Sequence, residues 1–408
     1  MKIQHTDTSE KPALGKLVVF KRQFSGFLFA VPFLIVFTLF FIYPFFSGIS
    51  ESFHNRRGEF VWFQNYKNIL TNPDFTYRDD FFRGLKNTLI FVVFSVPLLI
   101  VIPLFIAILL DIKPAGYKFF RALLFMPTVF SISSVILMWK RVLEVETGFI
   151  NGMLKAMNLS QINFLGSQPW AWISLLVVTI WWTMGTNIVI LGAGLKNIDK
   201  AVYEAAAIDG ASYIRTVFSV TLPLMVGQIF VVLIMTLLAS FNVYGQPALL
   251  TSGGPERSTQ VLLMVIIDNL FDRPYVAAAM ALMRRRRSCA GGAETDMAAK
   301  VKTKLNIGER RRKVVAFILL TIISILCVLP LLWAFGTSFK KNALTDVMSI
   351  IPREFSFNNY IQLFSNEDAP VFRWMLNSVV ISGVHTLLYI VIAALAGFAF
   401  GVSEWKGR

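Results

Sequence analysis

The sequence is poor in the residues that carry catalytic and metal chemistry. It holds two cysteines and three histidines in 408 residues. Cys289 and Cys327 are too few to read as a disulfide framework, and Cys327 lies inside an apolar run where a small core residue is expected. His5, His54 and His385 are far apart, and neither H-E-x-x-H nor G-x-S-x-G occurs. An intramembrane hydrolase is therefore disfavoured, and no metal or cofactor is expected. G-x-x-x-x-G-K-[ST] is also missing, which argues against ATP held in a P-loop of this chain. Charge is scarce as well: 15% of residues, against about 25% in soluble domains.

What remains is 55% hydrophobic, with a mean hydropathy of +0.62. Seven stretches contain no Asp, Glu, Lys or Arg: 25–50, 87–110, 122–139, 170–195, 216–241, 314–339 and 374–403. Each is near the roughly 20 residues that cross a bilayer. Unpaired sheet edges cannot lie in hydrocarbon, so these stretches are expected to be helices and the fold an all-α polytopic membrane protein. The first is too long for the apolar region of a cleaved leader and is expected to stay as a span. With no ionisable residue in any of the seven, a proton-coupled carrier has little to work with.

The net charge of +15 is unevenly spread. Residues 284–313 hold eleven Lys/Arg against three Asp/Glu, and the other basic residues flank spans. That is the pattern of membrane orientation rather than of nucleic-acid binding. Lys11, Lys16, Lys21 and Arg22 precede the first span and place the N-terminus in the cytoplasm. Counting forward, 51–86 is outside, 113–121 inside, 140–169 outside and 196–215 inside. The fifth span would then leave Arg310-Arg311-Arg312-Lys313 outside, against the rule that ordered the rest. A sixth crossing would restore it, but "VAAAMALM" ends at four arginines, Arg284 to Arg287. At about 1.5 Å per residue it covers some 12 Å of a core about 30 Å thick.

The chain after the basic run repeats its beginning. "FFRGLKNTLIF" at 81–91 matches "VFRWMLNSVVI" at 371–381, aligning Arg83 with Arg373 and Asn87 with Asn377. "FQNY" at 63–66 pairs with "FNNY" at 357–360, Pro44 with Pro330 and Gly116 with Gly407. The offsets, 286 to 294 residues, describe one long duplication rather than a solenoid. The second copy stops after two spans.

"DKAVYEAAAIDGASYIRTVFSVTLPLM", 199–225, carries the most local information. Asp199 can cap a short helix over 200–208, and Asp209-Gly210 ends it, with glycine able to take the left-handed conformation. A second short helix is expected from Ser212, and Pro223 lies in the first turns of the next span. The outcome is a helix–turn–helix on the inner face, its small Ala205, Ala206 and Ala207 open to a partner.

The motif E-A-A, three residues, G, nine residues, I-x-L-P is similar to the signature loop of bacterial ABC importer permeases. Here it reads Glu204-Ala205-Ala206, Gly210 and Val220-Thr221-Leu222-Pro223, with Val for Ile. "LLTSGGPERSTQVL" at 249–262 and "GAGLKNIDKAVYEAAAIDGAS" at 192–212 resemble the carbohydrate-uptake branch. The likeness covers 15–283, and 310–408 resembles the start of a partner-type permease. It implies the type I importer transmembrane fold, with five spans of a first copy and two of a second. It also implies a coupling loop formed by Glu204, Ala205, Ala206, Asp209, Gly210, Leu222 and Pro223. Implied partners are ABC ATPase subunits, a second permease and an extracytoplasmic solute-binding protein, with the chain itself no enzyme and seated in the bacterial inner membrane. The corresponding divisions are 1–24, a cytoplasmic tail; 25–283, a permease domain; 284–313, a basic linker; and 314–408, a partial second permease. The linker reads as a frameshift junction between two permease frames, with a genuine fusion as the alternative.

Sugars are held by aromatic faces and amide or hydroxyl groups, so Trp181, Trp182, Thr183, Asn187, Asn242 and Tyr244 are candidates for a substrate path. Interface belts and helix-to-helix hydrogen bonds use the same residue types. "GFAFG" at 397–401 is expected to pack closely against another helix. Pro32, Pro44, Pro97, Pro103, Pro127 and Pro330 are expected to bend helices rather than to gate.

Overall fold

The computed structural model describes residues 27–285, 308–341, 349–366 and 369–401. The tail 1–24, Cys289, His5 and most of the basic linker lie outside the described residues. Among the described residues all regular structure is helical, apart from two single-residue bridges, His54 with Phe60 and Lys340 with Phe355. Five helices are long and apolar enough to span a membrane, and two further spans form if each of two bent helix pairs counts as one.

The long helices are α1 (Phe27–Ser52), α3 (Thr76–Asp111), α7 (Trp170–Asn197), α13 (Gly308–Ser338) and α15 (Val371–Gly401). Between α1 and α3 lies α2 (Gln64–Thr71). The stretches 122–139 and 216–241, expected to be continuous, are bent by 99° and 67°. Pro127 has no N–H to continue α4 (Tyr117–Phe125), so the chain tightens into a 3₁₀ turn at Met126–Val129. It then extends at Phe130, and the Ser131 hydroxyl accepts the Ser134 N–H to open α5 (Ile132–Leu143). Ahead of the second bend, α9 (Tyr213–Leu224) loosens into a π-turn at Val217–Thr221, and α10 (Val226–Phe241) follows Met225. The remaining short helices are α6 (Phe149–Ala156), α8 (Lys200–Ile208), α11 (Leu262–Asp268), α12 (Pro274–Arg285) and α14 (Asn358–Ser365).

The chain divides into two compact units, Ser52–Asn359 and Met1–Glu51 with Tyr360–Arg408. In the larger, the core gathers Leu124, Ile136, Trp139, Phe149 and Trp181 with Leu320, Cys327 and Trp333 of α13. Cys327 is buried, as expected of a small core residue. This core is why the compact units cut across the division at 284–313. In the smaller unit, Phe29 and Phe33 of α1 meet Phe398 and Phe400 of α15 edge-on, with Ala396 and Ala399 buried. The glycines of "GFAFG" do not provide the close approach expected of them. A Cβ on Gly397 or Gly401 would meet nothing within 4 Å.

Helix α12 clarifies the arginine stop. Its entry stacks Arg273 over Tyr77 at the start of α3 (5.0 Å), and Val276, Ala277 and Met280 pack with Ile69 and Phe81. Its far end brings the Arg284 guanidinium to the Asn242 side-chain oxygen. Asn242 follows Ser240, whose hydroxyl accepts from Ser95, the twentieth of the 36 residues of α3. So over its described residues α12 runs from the Tyr77 end of α3 to about half its height. It covers about 18 Å at 1.5 Å per residue, and Arg284 is half-buried.

The matched stretches "FQNY" and "FNNY" make similar hydrogen bonds. The Asn65 amide donates to Ser52 O and His54 O (2.8 Å each), and Val61 N–H donates to Phe53 O (2.7 Å). At an offset of 286 for the carbonyls and 294 to 295 for the donors, Asn359 donates to Ser338 O and Lys340 O (3.0 Å each), and Ser356 N–H to Phe339 O (2.8 Å). Each clasp is wrapped in rings: Phe53, Phe60 and Phe63 in the first, Phe339, Phe355 and Phe357 in the second.

Candidate coupling site

The segment 199–225 folds by local chemistry. The Asp199 carboxylate accepts the Ala201 N–H (3.0 Å) and opens α8. Two crossed bonds close it, Ala211 N–H to Ala206 O (2.9 Å) and Gly210 N–H to Ala207 O (3.2 Å), with Gly210 left-handed at φ +71°. This is the Schellman stop, for which glycine lacks the Cβ that would be strained. One residue later the Ser212 hydroxyl accepts the Arg215 N–H and begins α9. The result is a rigid two-helix knuckle.

The knuckle is clipped to the body at Tyr203, whose phenolic oxygen accepts a long contact from the Thr221 hydroxyl (3.4 Å). Burial pushes the Tyr203 pKa above its ordinary value, the Thr221 contact partly offsets this, and the Asp111 carboxylate adds to it. The phenol stays neutral.

The predicted residues separate into two sides. Glu204 and Ala205 are half-exposed, and Asp209 and Gly210 are exposed at the tip. Ala206, expected on the open face, is only 8% exposed. On a helix, residue 206 lies about 100° past 205, which turns it with Tyr203 toward the body. Leu222 and Pro223 sit apart from the tip, beyond Thr221 in the stretch leading to α10. Residue-by-residue reading of the motif missed Ile208 (59% exposed) and Ile214 (69%). Ile208 stands four residues after Glu204 and three after Ala205, so the three share a face. The signal was present in the sequence: apolar residues flanking a polar tip with no core partner of their own.

The six substrate-path candidates are not brought together as a lining. Trp181 is buried, edge-on to Trp139 (5.6 Å), and its indole N–H donates to Cys327 O (2.8 Å), three residues before Pro330. Asn187 donates to Leu99 O (2.8 Å), the carbonyl that residue 103, a proline, cannot serve. Trp182 donates to Phe130 O at the α4–α5 break, and Thr183 donates to Thr179 O within its own helix. Asn242 is engaged by Leu238 O and Arg284, and Tyr244 is 37% exposed. Asn187 thus serves the carbonyl that Pro103 leaves open, and the Trp181 indole serves a backbone carbonyl of α13.

Residues 69–283 match the family described as "Binding-protein-dependent transport system inner membrane component". The probable ABC transporter permease protein YurN of Bacillus subtilis is 29% identical over 274 residues, 65% of this chain and 91% of that protein. The multiple sugar-binding transport system permease protein MsmF of Streptococcus mutans is 32% identical over 265 residues, 64% of this chain and 89% of that one. A crystal structure of a bacterial ABC transporter that imports the acidic polysaccharide alginate has a chain with the same fold. Its TM-score is 0.58 at 21% identity, covering 76% of this chain and 99% of that one. With its apolar helices and these matches over most of each relative's length, the chain is a multi-pass membrane protein and belongs to the inner-membrane components of binding-protein-dependent transport systems.

Proposed function

We propose that this chain is the permease subunit of an ATP-driven importer for a sugar or oligosaccharide, driven at the knuckle 199–212. The relatives support the cargo class: besides MsmF they include an arabinooligosaccharides permease and a lactose permease. The observation that carries the mechanism is the knuckle itself. Both helix starts are capped, the turn is a Schellman stop, and the exposed stripe Glu204-Ala205-Ile208 ends in the tip Asp209-Gly210. A rigid short element of this kind can pass a rigid-body movement from an ATPase subunit to the spans. The ATPase, a second permease and a solute-binding protein are separate partners, and ATP hydrolysis belongs to the first of these. In this assignment the knuckle and the N-terminus face the cytoplasm.

The test is capture. An ATPase subunit should copurify with the wild type and be lost with Gly210→Asp, which strains the turn, and with Glu204→Lys, which reverses a charge on the exposed stripe. Retention by both variants would overturn the docking assignment.

A further inference from the structure

We propose that the groove where α3, α9 and α13 meet is a binding site for an anionic phospholipid. Its phosphate would rest on Arg311 and Arg312, and its acyl chains on the apolar wall beside them. Three helix ends come together there. Helix α3 closes at Asp111, α9 opens at Tyr213, and α13 enters its apolar stretch at Val314. Ring contacts hold the start of α13. The Arg312 guanidinium lies over the Tyr213 ring (5.1 Å), and Phe317 meets Phe120 of α4 edge-on (5.5 Å). The three ends border an open cavity of about 260 Å³.

The lining of this cavity is ordered. Tyr213, Arg311 and Arg312 supply its polar rim, and Leu109, Ile112 and Val315 its apolar wall. Arg311 is exposed, and Val315 stands four residues on, so the two share a face of α13 about 6 Å apart along its axis. A cation followed one turn deeper by hydrocarbon matches the order of a phospholipid, phosphate and then chain. The guanidinium fork suits a phosphate with paired N–H donors, and the Tyr213 hydroxyl can add a third. Basic pockets between spans are where anionic headgroups bind. A free phosphate would use the rim and leave the wall uncovered.

The charge around the groove agrees. Asp111 acts on Tyr213 from the end of α3, but its own charge is met by Lys113 and Lys196. Four cations therefore stand against one carboxylate. The site needs this groove and not the importer assignment, which ATPase capture tests separately.

The test is binding by the purified full chain in a nonionic detergent. Dioleoyl phosphatidylglycerol is added at rising mole fraction, and chains carrying one lipid are counted by native mass spectrometry. Half-occupancy should need about thirtyfold more lipid in Arg311→Gln/Arg312→Gln, from the strength typical of two basic residues beside an anionic membrane. Arg56→Gln/Arg57→Gln, which neutralises an exposed pair in the turn between His54 and Phe60, should bind as the wild type does. Val315→Glu, at a position 49% exposed, should weaken binding by placing a carboxylate on the wall. Dioleoyl phosphatidylcholine has the same chains and no net charge, and the wild type should retain it no better than the arginine variant retains phosphatidylglycerol. Equal losses from the two arginine pairs, unchanged binding by Val315→Glu, equal retention of phosphatidylcholine, or displacement by inorganic phosphate would each overturn the site. Loss of ATPase capture by Arg311→Gln/Arg312→Gln with lipid binding unchanged would give the pair to the ATPase and overturn it as well.

Discussion

Helices α3 and α15 carry the same motif, R-x₃-N, yet one is a core element and the other is not. In α3, Asn87 is 5% exposed and donates to Arg257 O (3.1 Å) and Gln260 O (2.9 Å), while Thr88 accepts the Leu262 N–H (2.9 Å). At the matching positions of α15, Asn377 and Ser378 are exposed. The most apolar window of α3 is 39% buried and that of α15 is 6%. The reason shows one residue past the arginine. Gly84 lets the backbone of Leu262 approach so closely that a Cβ would sit 2.9 Å from its Cα, whereas the aligned position is Trp374, which is 53% exposed. A shared polar motif does not create packing; the small residue beside it and the loop 252–262 do.

The comparison can be broken first at the glycine. Gly84→Trp should destabilise the larger unit by about 3 kcal/mol or more, since the obstacle is backbone rather than a side-chain tip. Trp374→Gly should cost about 1 kcal/mol, the mid-helix penalty of glycine. Thermal midpoints in detergent would compare them, and equal losses would contradict the account. Asn87→Leu comes next. It strands two loop carbonyls and should cost about 2–3 kcal/mol, while Asn377→Leu should stay within about 0.5 kcal/mol. The two clasps sharpen the contrast. Asn65 is buried and Asn359 exposed at the same pair of bonds. Asn65→Ala should therefore cost about 1–2 kcal/mol and Asn359→Ala about 0.5 kcal/mol, because water can replace the exposed amide. Proteolysis at each clasp would report the order, and a larger effect at 359 would refute it.

Much of the knuckle was legible because its determinants are local. Asp199, Gly210 and Ser212 each act within a few residues, and the structure places the cap, the stop and the second start there. The bends were harder to read. Pro97 and Pro103 leave α3 a single helix, while Pro127 breaks the chain, and nothing within a few residues distinguishes them. Part of the difference lies far away in sequence: the carbonyl left open by Pro103 is served by Asn187 from α7. The same distance hid the roles of Trp181 and Asn187, whose polar groups suggested a solute and whose hydrogen bonds serve backbone. Ala206 was misplaced for a subtler reason, since a motif names consecutive residues and a helix turns each by about 100°.

The central claim is that the knuckle meets a motor on the inner face. It is tested most directly by Asp209→Cys in the Cys289→Ser, Cys327→Ala background, probed with a membrane-impermeant maleimide. Position 209 should be untouched in intact cells, react in inside-out vesicles, and be shielded there when the ATPase subunit is bound. Modification from outside intact cells would contradict the account.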